Sequence, residues 1–198
     1  MSKIKIYVEW QGEELFFSTL KKLKKIDKRI DITSVWTNSK IFTSTSDINE
    51  KQVSKRINLS STKWYNEIWF IADLENMNKT ILESNIHRFC SMSHPVKVKF
   101  FLEILQFESW LLADIVNIKN ILWERKKISY KIVLKPTENI TKPCTIIKKL
   151  YNQAWKDYKK NSDEDKIAQE FSFERWKDYS KSLNLFYENF KKQNLYLV

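Results

Sequence analysis

Three carboxylates in the N-terminal half of the chain have the spacing of a metal-dependent site. Glu9 follows an alternating segment, Ile4-Lys5-Ile6-Tyr7-Val8. Asp73 closes a continuous apolar run, Ile68-Trp69-Phe70-Ile71-Ala72, and Glu75 comes two residues later. In an extended chain the side-chain period is two, so Asp73 and Glu75 project to one side. Ligands of open α/β sheets sit beyond the carboxyl ends of the strands, so two adjacent parallel strands would bring Glu9, Asp73 and Glu75 to one rim. Carboxylates that close repel and resist ionisation. A hard divalent cation, Mg²⁺ or Mn²⁺, removes the repulsion and keeps waters that a phosphate can displace. The chemistry would be phosphoryl transfer, with a water activated and a charged transition state stabilised. A plainer reading stands beside it. Acids follow strands because loops are polar, and Glu13 and Glu14 fall where a helix N-terminus favours acids.

The scarce residue types exclude other chemistries. Cys90 and Cys144 are far apart, and His87 and His94 complete no metal-ligand spacing, so a structural zinc site and a disulfide scaffold are not expected. Both cysteines read as buried or half-buried free thiols. The one glycine, Gly12, rules out a Walker A loop and a three-glycine dinucleotide fingerprint. No Gly-x-Ser-x-Gly elbow supports a serine hydrolase. Among 198 residues, 35 Lys and Arg face 24 Asp and Glu, a net charge of +11. That excess favours a polyanionic partner, most simply nucleic acid. Heavy use of Lys, Ile and Asn is also the signature of an AT-rich genome, which raises lysine without function. No apolar stretch reaches bilayer length and the N-terminus lacks a signal-peptide core. A soluble cytoplasmic protein with no membrane partner is expected.

The elements that must position these residues follow from periodicity. Ile4, Ile6 and Val8 mark a strand. Leu15, Phe16, Leu20, Leu23 and Ile26 recur at helical spacing and predict an amphipathic helix over 13–29. Residues 32–36 read as a short strand, 42–47 as a loop and 50–57 as a short helix. Residues 68–72 form a strand buried on both faces. A helix over 78–90, a strand over 96–102 and a long helix over 104–122 follow. Residues 123–135 read as a basic connector, and 145–160, 163–171 and 173–192 as helices. The alternation predicts an α/β fold with a parallel or mixed sheet flanked by helices. A domain over 1–135 would carry a helical C-terminal extension over 136–198, packed on it as one compact unit.

Val8-Glu9 with Gln11-Gly12-Glu13, then Ile71-Ala72-Asp73-Leu74-Glu75, resembles the TOPRIM (topoisomerase–primase) domain, which has a glutamate after its first strand and an Asp-x-Asp-type pair after a later one. Phe107-Glu108-Ser109-Trp110-Leu111-Leu112-Ala113-Asp114 is similar to a block of small stand-alone TOPRIM-like bacterial proteins of unknown function. Pro143 with Lys148 and Lys149, then Tyr158-Lys159, Ile167-Ala168 and Phe186, resembles the C-terminal pattern of that family. The resemblance covers about residues 4–190. It implies a TOPRIM-like α/β fold and a Mg²⁺- or Mn²⁺-dependent nuclease site, similar to the nuclease half of OLD-type anti-phage systems. It further implies an abortive-infection effector in a larger, oligomeric complex with an ABC/SMC-type ATPase partner. Carried over, Glu9 is the general acid/base or a metal ligand, and Asp73 and Glu75 the metal-binding pair. Glu13, Glu108 and Asp114 are supporting acids.

Two departures keep an alternative open: a catalytically degenerate module that binds nucleic acid or a partner. Trp10 stands where the family has glycine, a residue that permits close backbone approach, although Gly12 nearby could move the flexible point. The second acid of the pair is Glu75, one methylene longer than Asp. At 100° per residue Glu108 and Asp114 lie about 120° apart on a helix, so one metal would take only one of them. Glu108 is the choice, and Asp114 reads as a structural or capping acid.

Lysines complete the reading. Lys126 and Lys127 fall in the basic connector, and Lys142, Lys148, Lys149 and Lys159 in the segment after it; all six are candidates for contact with a phosphate backbone. Tyr151, Trp155 and Tyr158 between them fit either base stacking or, as favoured here, a helix face packed on the sheet.

Overall fold

The computed structural model describes residues 3–35, 41–43, 47–74, 77–103, 106–123, 137, 140–172 and 179–193, apart from the side chains of Glu103 and Trp123. Four strands, β1 (Ile4–Val8), β2 (Ile30–Ser34), β3 (Glu67–Asp73) and β4 (Lys97–Glu103), form one sheet in the order β2-β1-β3-β4. Every pairing is parallel, with Val8 opposite both Ser34 and Ile71. The fold is therefore α/β with a parallel sheet flanked by helices, as the alternation predicts.

The sheet divides two apolar layers. Ile4, Ile6, Val8, Trp69 and Ile71 face one side, where they meet Phe16, Phe17 and Leu20 of α1 (Gln11–Lys22). The same cluster holds residues of α4 (Phe107–Ala113), α5 (Ile115–Trp123), α6 (Pro143–Gln153), α7 (Lys160–Gln169) and α8 (Lys181–Lys192). Tyr7, Ile68, Phe70 and Ala72 face the other side, against Val53 and Ile57 of α2 (Glu50–Ser61) and Leu82 and Phe89 of α3 (Lys79–Ser91). β3 lies between two strands and is buried at all seven residues, which is why its centre, Ile68–Ala72, is an unbroken apolar run. Trp110, the centre of the Phe107–Asp114 block, is fully buried and stacks near Phe186 of α8.

Several boundaries differ from expectation. The first helix stops at Lys22 rather than Arg29, because Lys24 takes a left-handed conformation (φ 57°) and turns the chain toward β2. The long helix is broken into α4 and α5 at Asp114, whose ψ of 49° is not helical. The helix expected over 145–160 ends at Gln153. Trp155, with φ 57°, turns the chain, and Lys160 instead opens α7. That turn leaves Trp155 82% exposed, so it is not part of a packed face, whereas Tyr151 is buried as favoured. Cys144 is a half-buried free thiol, but Cys90 is exposed. Among the described residues no helix is long and apolar enough to cross a membrane.

Candidate carboxylate site

The connection from β1 runs through α1 to β2 on one flank, and that from β3 runs through α3 to β4 on the other. The two crossovers depart in opposite directions, so β1 and β3 bound the topological switch point of the sheet. The crevice beyond their carboxyl ends is where such sheets bind ligands. Glu9 and Asp73 stand there. β1 ends at Val8, and the side chain of Glu9 takes over as the next acceptor: its Oε2 receives the Asp73 N–H at 3.3 Å. Asp73 itself is 3% exposed.

Glu13 is the third member. It lies in the first turn of α1, and its Oε2 accepts the N–H groups of Glu9 (2.9 Å) and Trp10 (3.2 Å). This is the glutamate half of a capping box, bound to the donors that a helix start leaves unsatisfied. Its other oxygen, Oε1, is buried without a hydrogen-bond partner. Burial, reinforced by the charges of Asp73 and Glu9, holds this carboxyl well above the ordinary glutamate range. Glu108, in the first turn of α4, is 1% exposed, and its Oε1 pairs with Lys160 Nζ at 3.3 Å.

Two further groups reach the crevice from α7, and sequence reasoning did not place them in the site. Lys160 opens that helix, an unfavourable place for a cation next to the helix dipole. What holds it is local charge. Burial lowers its affinity for a proton, but Glu108, Glu164 and Asp73 more than offset that and raise it above the ordinary lysine range. Its ammonium also lies 5.6 Å from the centre of the Trp10 ring. Glu164, one turn further along α7, is fully buried. Its Oε1 accepts the Tyr158 hydroxyl at 3.3 Å, and burial pushes its carboxyl up to about 8 against the pull of Lys160.

Gly12 makes this arrangement sterically feasible. A Cβ there would sit 1.7 Å from Glu164 Oε2. The glycine is not in a left-handed conformation, so it does not supply the flexible point considered for it; it supplies room for the Glu164 carboxylate. Trp10, in turn, lies beneath the Lys160 ammonium.

Lys160 thus pairs with Glu108 and feels the charges of Glu164, Asp73 and Glu13, while Glu9 lies beside Asp73 and Glu13. Glu13 Oε1, Glu108 Oε2 and Glu164 Oε2 are buried oxygens without hydrogen-bond partners. Among the described residues no three acidic, His or Cys side chains stand in metal-ligating geometry. Glu75 lies outside the described residues, as do Lys126 and Lys127. Asp114 sits at the break between α4 and α5, and its Oδ2 accepts the Ser172 N–H at 3.2 Å, a capping role. Lys142, Lys148, Lys149 and Lys159 are exposed, and on α6 Lys148 and Lys149 lie opposite the buried Ile147, Leu150 and Tyr151.

The chain matches no protein-family model, no curated protein and no solved structure.

Proposed function

We propose that the chain is a metal-dependent nuclease that hydrolyses phosphodiester bonds of DNA or RNA. The observation that supports this best is the Glu9–Asp73 contact at the switch point of a parallel sheet. Glu9 and Asp73 offer hard oxygens of the kind Mg²⁺ or Mn²⁺ prefers, and the buried Glu13 Oε1, Glu108 Oε2 and Glu164 Oε2 of the same crevice lack hydrogen-bond partners. Glu9 and Asp73, with Glu75, would hold the ion, which would orient a water and neutralise charge on the phosphoryl group. The residues of the chain do the rest. Glu13 fixes the Glu9 backbone through its N–H. Glu108 and Glu164 hold Lys160 as a fixed positive charge beside the rim. The exposed Lys142, Lys148, Lys149 and Lys159 supply phosphate contacts whose strength falls with salt. The TOPRIM resemblance adds an ABC/SMC-type ATPase partner and an anti-phage, abortive-infection setting.

The test is cleavage of plasmid DNA and of single-stranded RNA by the purified full chain in Mg²⁺, Mn²⁺ or EDTA. Cleavage in either metal, lost at least a hundredfold in Glu9→Gln and Asp73→Asn, supports the proposal. Full activity in both variants overturns it.

One observation favours a second reading, a module without catalysis. Lys160 already brings a positive charge among the acids, over Trp10 where the family has glycine. This reading expects salt-sensitive nucleic-acid binding that EDTA leaves unchanged.

A further inference from the structure

The opposite face of the sheet holds a second polar site that owes nothing to the carboxylates. β1 is an internal strand of a parallel sheet, and such strands are normally apolar on both faces. Lys5 breaks that rule. It shares a face with Tyr7, on the side covered by α2, and both line a cavity of about 420 Å³ between the β1–β2 edge and that helix. Small-molecule sites range over about 300–1,000 Å³.

The lining is strongly cationic. Lys5, Lys55, Arg56 and Lys63 contribute to it, and none of its described lining residues is Asp or Glu. Asp31 and Glu14 are acids whose charge reaches Lys5. Asp31 is engaged by Lys3 at 3.1 Å, Lys21 at 3.0 Å and the Tyr65 hydroxyl at 2.7 Å. Glu14 accepts the Ser34 N–H at 2.9 Å and its hydroxyl. Lys5 donates to the neutral Thr33 hydroxyl, and burial pulls its ammonium below the ordinary lysine range. An anion in the cavity would relieve that cost. One aromatic ring lies against two of the cations: Lys5 Nζ is 5.5 Å and Arg56 Cζ 5.9 Å from the centre of the Tyr7 ring, whose hydroxyl is bonded to Ser60 at 2.9 Å.

One more feature narrows the ligand. Trp64 stands between the lining residues Lys63 and Tyr65, is 87% exposed, and has a φ of 64°, a conformation a bulky residue rarely adopts. Trp64 is not itself in the lining, but an exposed indole one residue from two lining residues is available to stack on a base. We propose that this cavity binds a free nucleoside phosphate, its phosphates on Lys5, Lys55, Arg56 and Lys63 and its base on Trp64. The inference does not rest on the nuclease reading.

Calorimetric titration of the full chain in EDTA, at low salt, tests it with three probes: ADP, pyrophosphate and a twelve-nucleotide DNA strand. ADP should bind saturably at one site and at least tenfold more tightly than pyrophosphate. Lys55→Gln with Lys63→Gln, two exposed positions whose change leaves the core intact, should weaken ADP at least tenfold. Trp64→Ala should bring ADP down to the pyrophosphate level. Amide shifts on adding ADP should centre on Ser34, Arg56 and Lys63. Absence of saturable ADP binding overturns the proposal. So do equal affinities of ADP and pyrophosphate, undiminished binding in the double variant, shifts centred on Glu9 and Asp73, or binding of the DNA strand alone.

Discussion

Glu9 Oε2 accepts the backbone N–H of Asp73 at 3.3 Å, so a side chain continues the β1–β3 ladder one step past the last backbone rung. Replacing the carboxylate with an amide keeps an acceptor but removes a charge. Glu9→Gln should therefore melt within a few degrees of the native chain while Mn²⁺ affinity, read by electron paramagnetic resonance, falls at least tenfold. Unchanged Mn²⁺ binding would remove Glu9 from the ligand set.

Stability should fall as pH rises, opposite to the usual effect of carboxylates. Burial pushes the Glu164 carboxyl up to about 8 and also holds Glu13 high. The folded chain thus binds more protons than the unfolded one. The contribution is complete below the ordinary glutamate range, about pH 4, and is lost as pH climbs through about 8. In EDTA the melting temperature should drop between pH 5.5 and 8.5, with a slope of up to about 1.4 kcal/mol per pH unit for each group. Glu164→Gln should flatten that slope. A slope identical to that of the native chain would show that Glu164 ionises normally.

Gly12→Ala should cost about 1–3 kcal/mol in urea unfolding, because its Cβ meets the Glu164 carboxylate. In the background Glu164→Ala the same change should cost much less. A coupling energy near zero in that double-mutant cycle would mean the two residues do not meet.

Lys160→Met removes an ammonium whose charge acts on Glu108, Glu164, Asp73 and Glu13. Above pH 8 it should destabilise the chain by about 1–3 kcal/mol, less than a fully buried broken pair because the lysine side chain is 40% exposed. Its effect on Mn²⁺ separates the two functional readings. If the native chain binds Mn²⁺ and the variant binds it more tightly, the metal-dependent reading holds. If only the variant binds, lysine has replaced the metal.

Asp114→Ala should lose about 1 kcal/mol of stability through the freed Ser172 N–H, with Mn²⁺ binding unchanged. A parallel loss of Mn²⁺ affinity would place Asp114 in the site after all.

β1 and β3 are readable because a pattern reports each, alternation in β1 and an apolar run in β3, whereas β2, expected over 32–36, lies at Ile30–Ser34 with a single fully buried residue. Glu9 and Asp73 followed from strand ends alone. Lys160 and Glu164 did not, because the α7 sequence, Lys-Asn-Ser-Asp-Glu-Asp-Lys, reads as a solvated polar run and tertiary packing is what buries it. A signal was nevertheless there. Glu164 shares a helical stripe with Ile167, Ala168 and Phe171; Glu13 shares one with Phe16, Phe17 and Leu20; Glu108 shares one with Leu111 and Leu112. An acid on the apolar stripe of a helix must be buried, and three such acids must share a pocket or find separate partners. The helix ends were missed where a single residue, Lys24 or Trp155, adopts a left-handed turn that no periodicity records.

The supply of Lys160 and Glu164 by a helix so far downstream of Asp73 has a consequence for biosynthesis. While α7 is still inside the ribosome, the emerged α/β portion has its acids at the rim without their counter-charge and without the side chain that fills the space beside Gly12. Emergence of α7, rather than folding of the sheet, is then the event that seals the pocket.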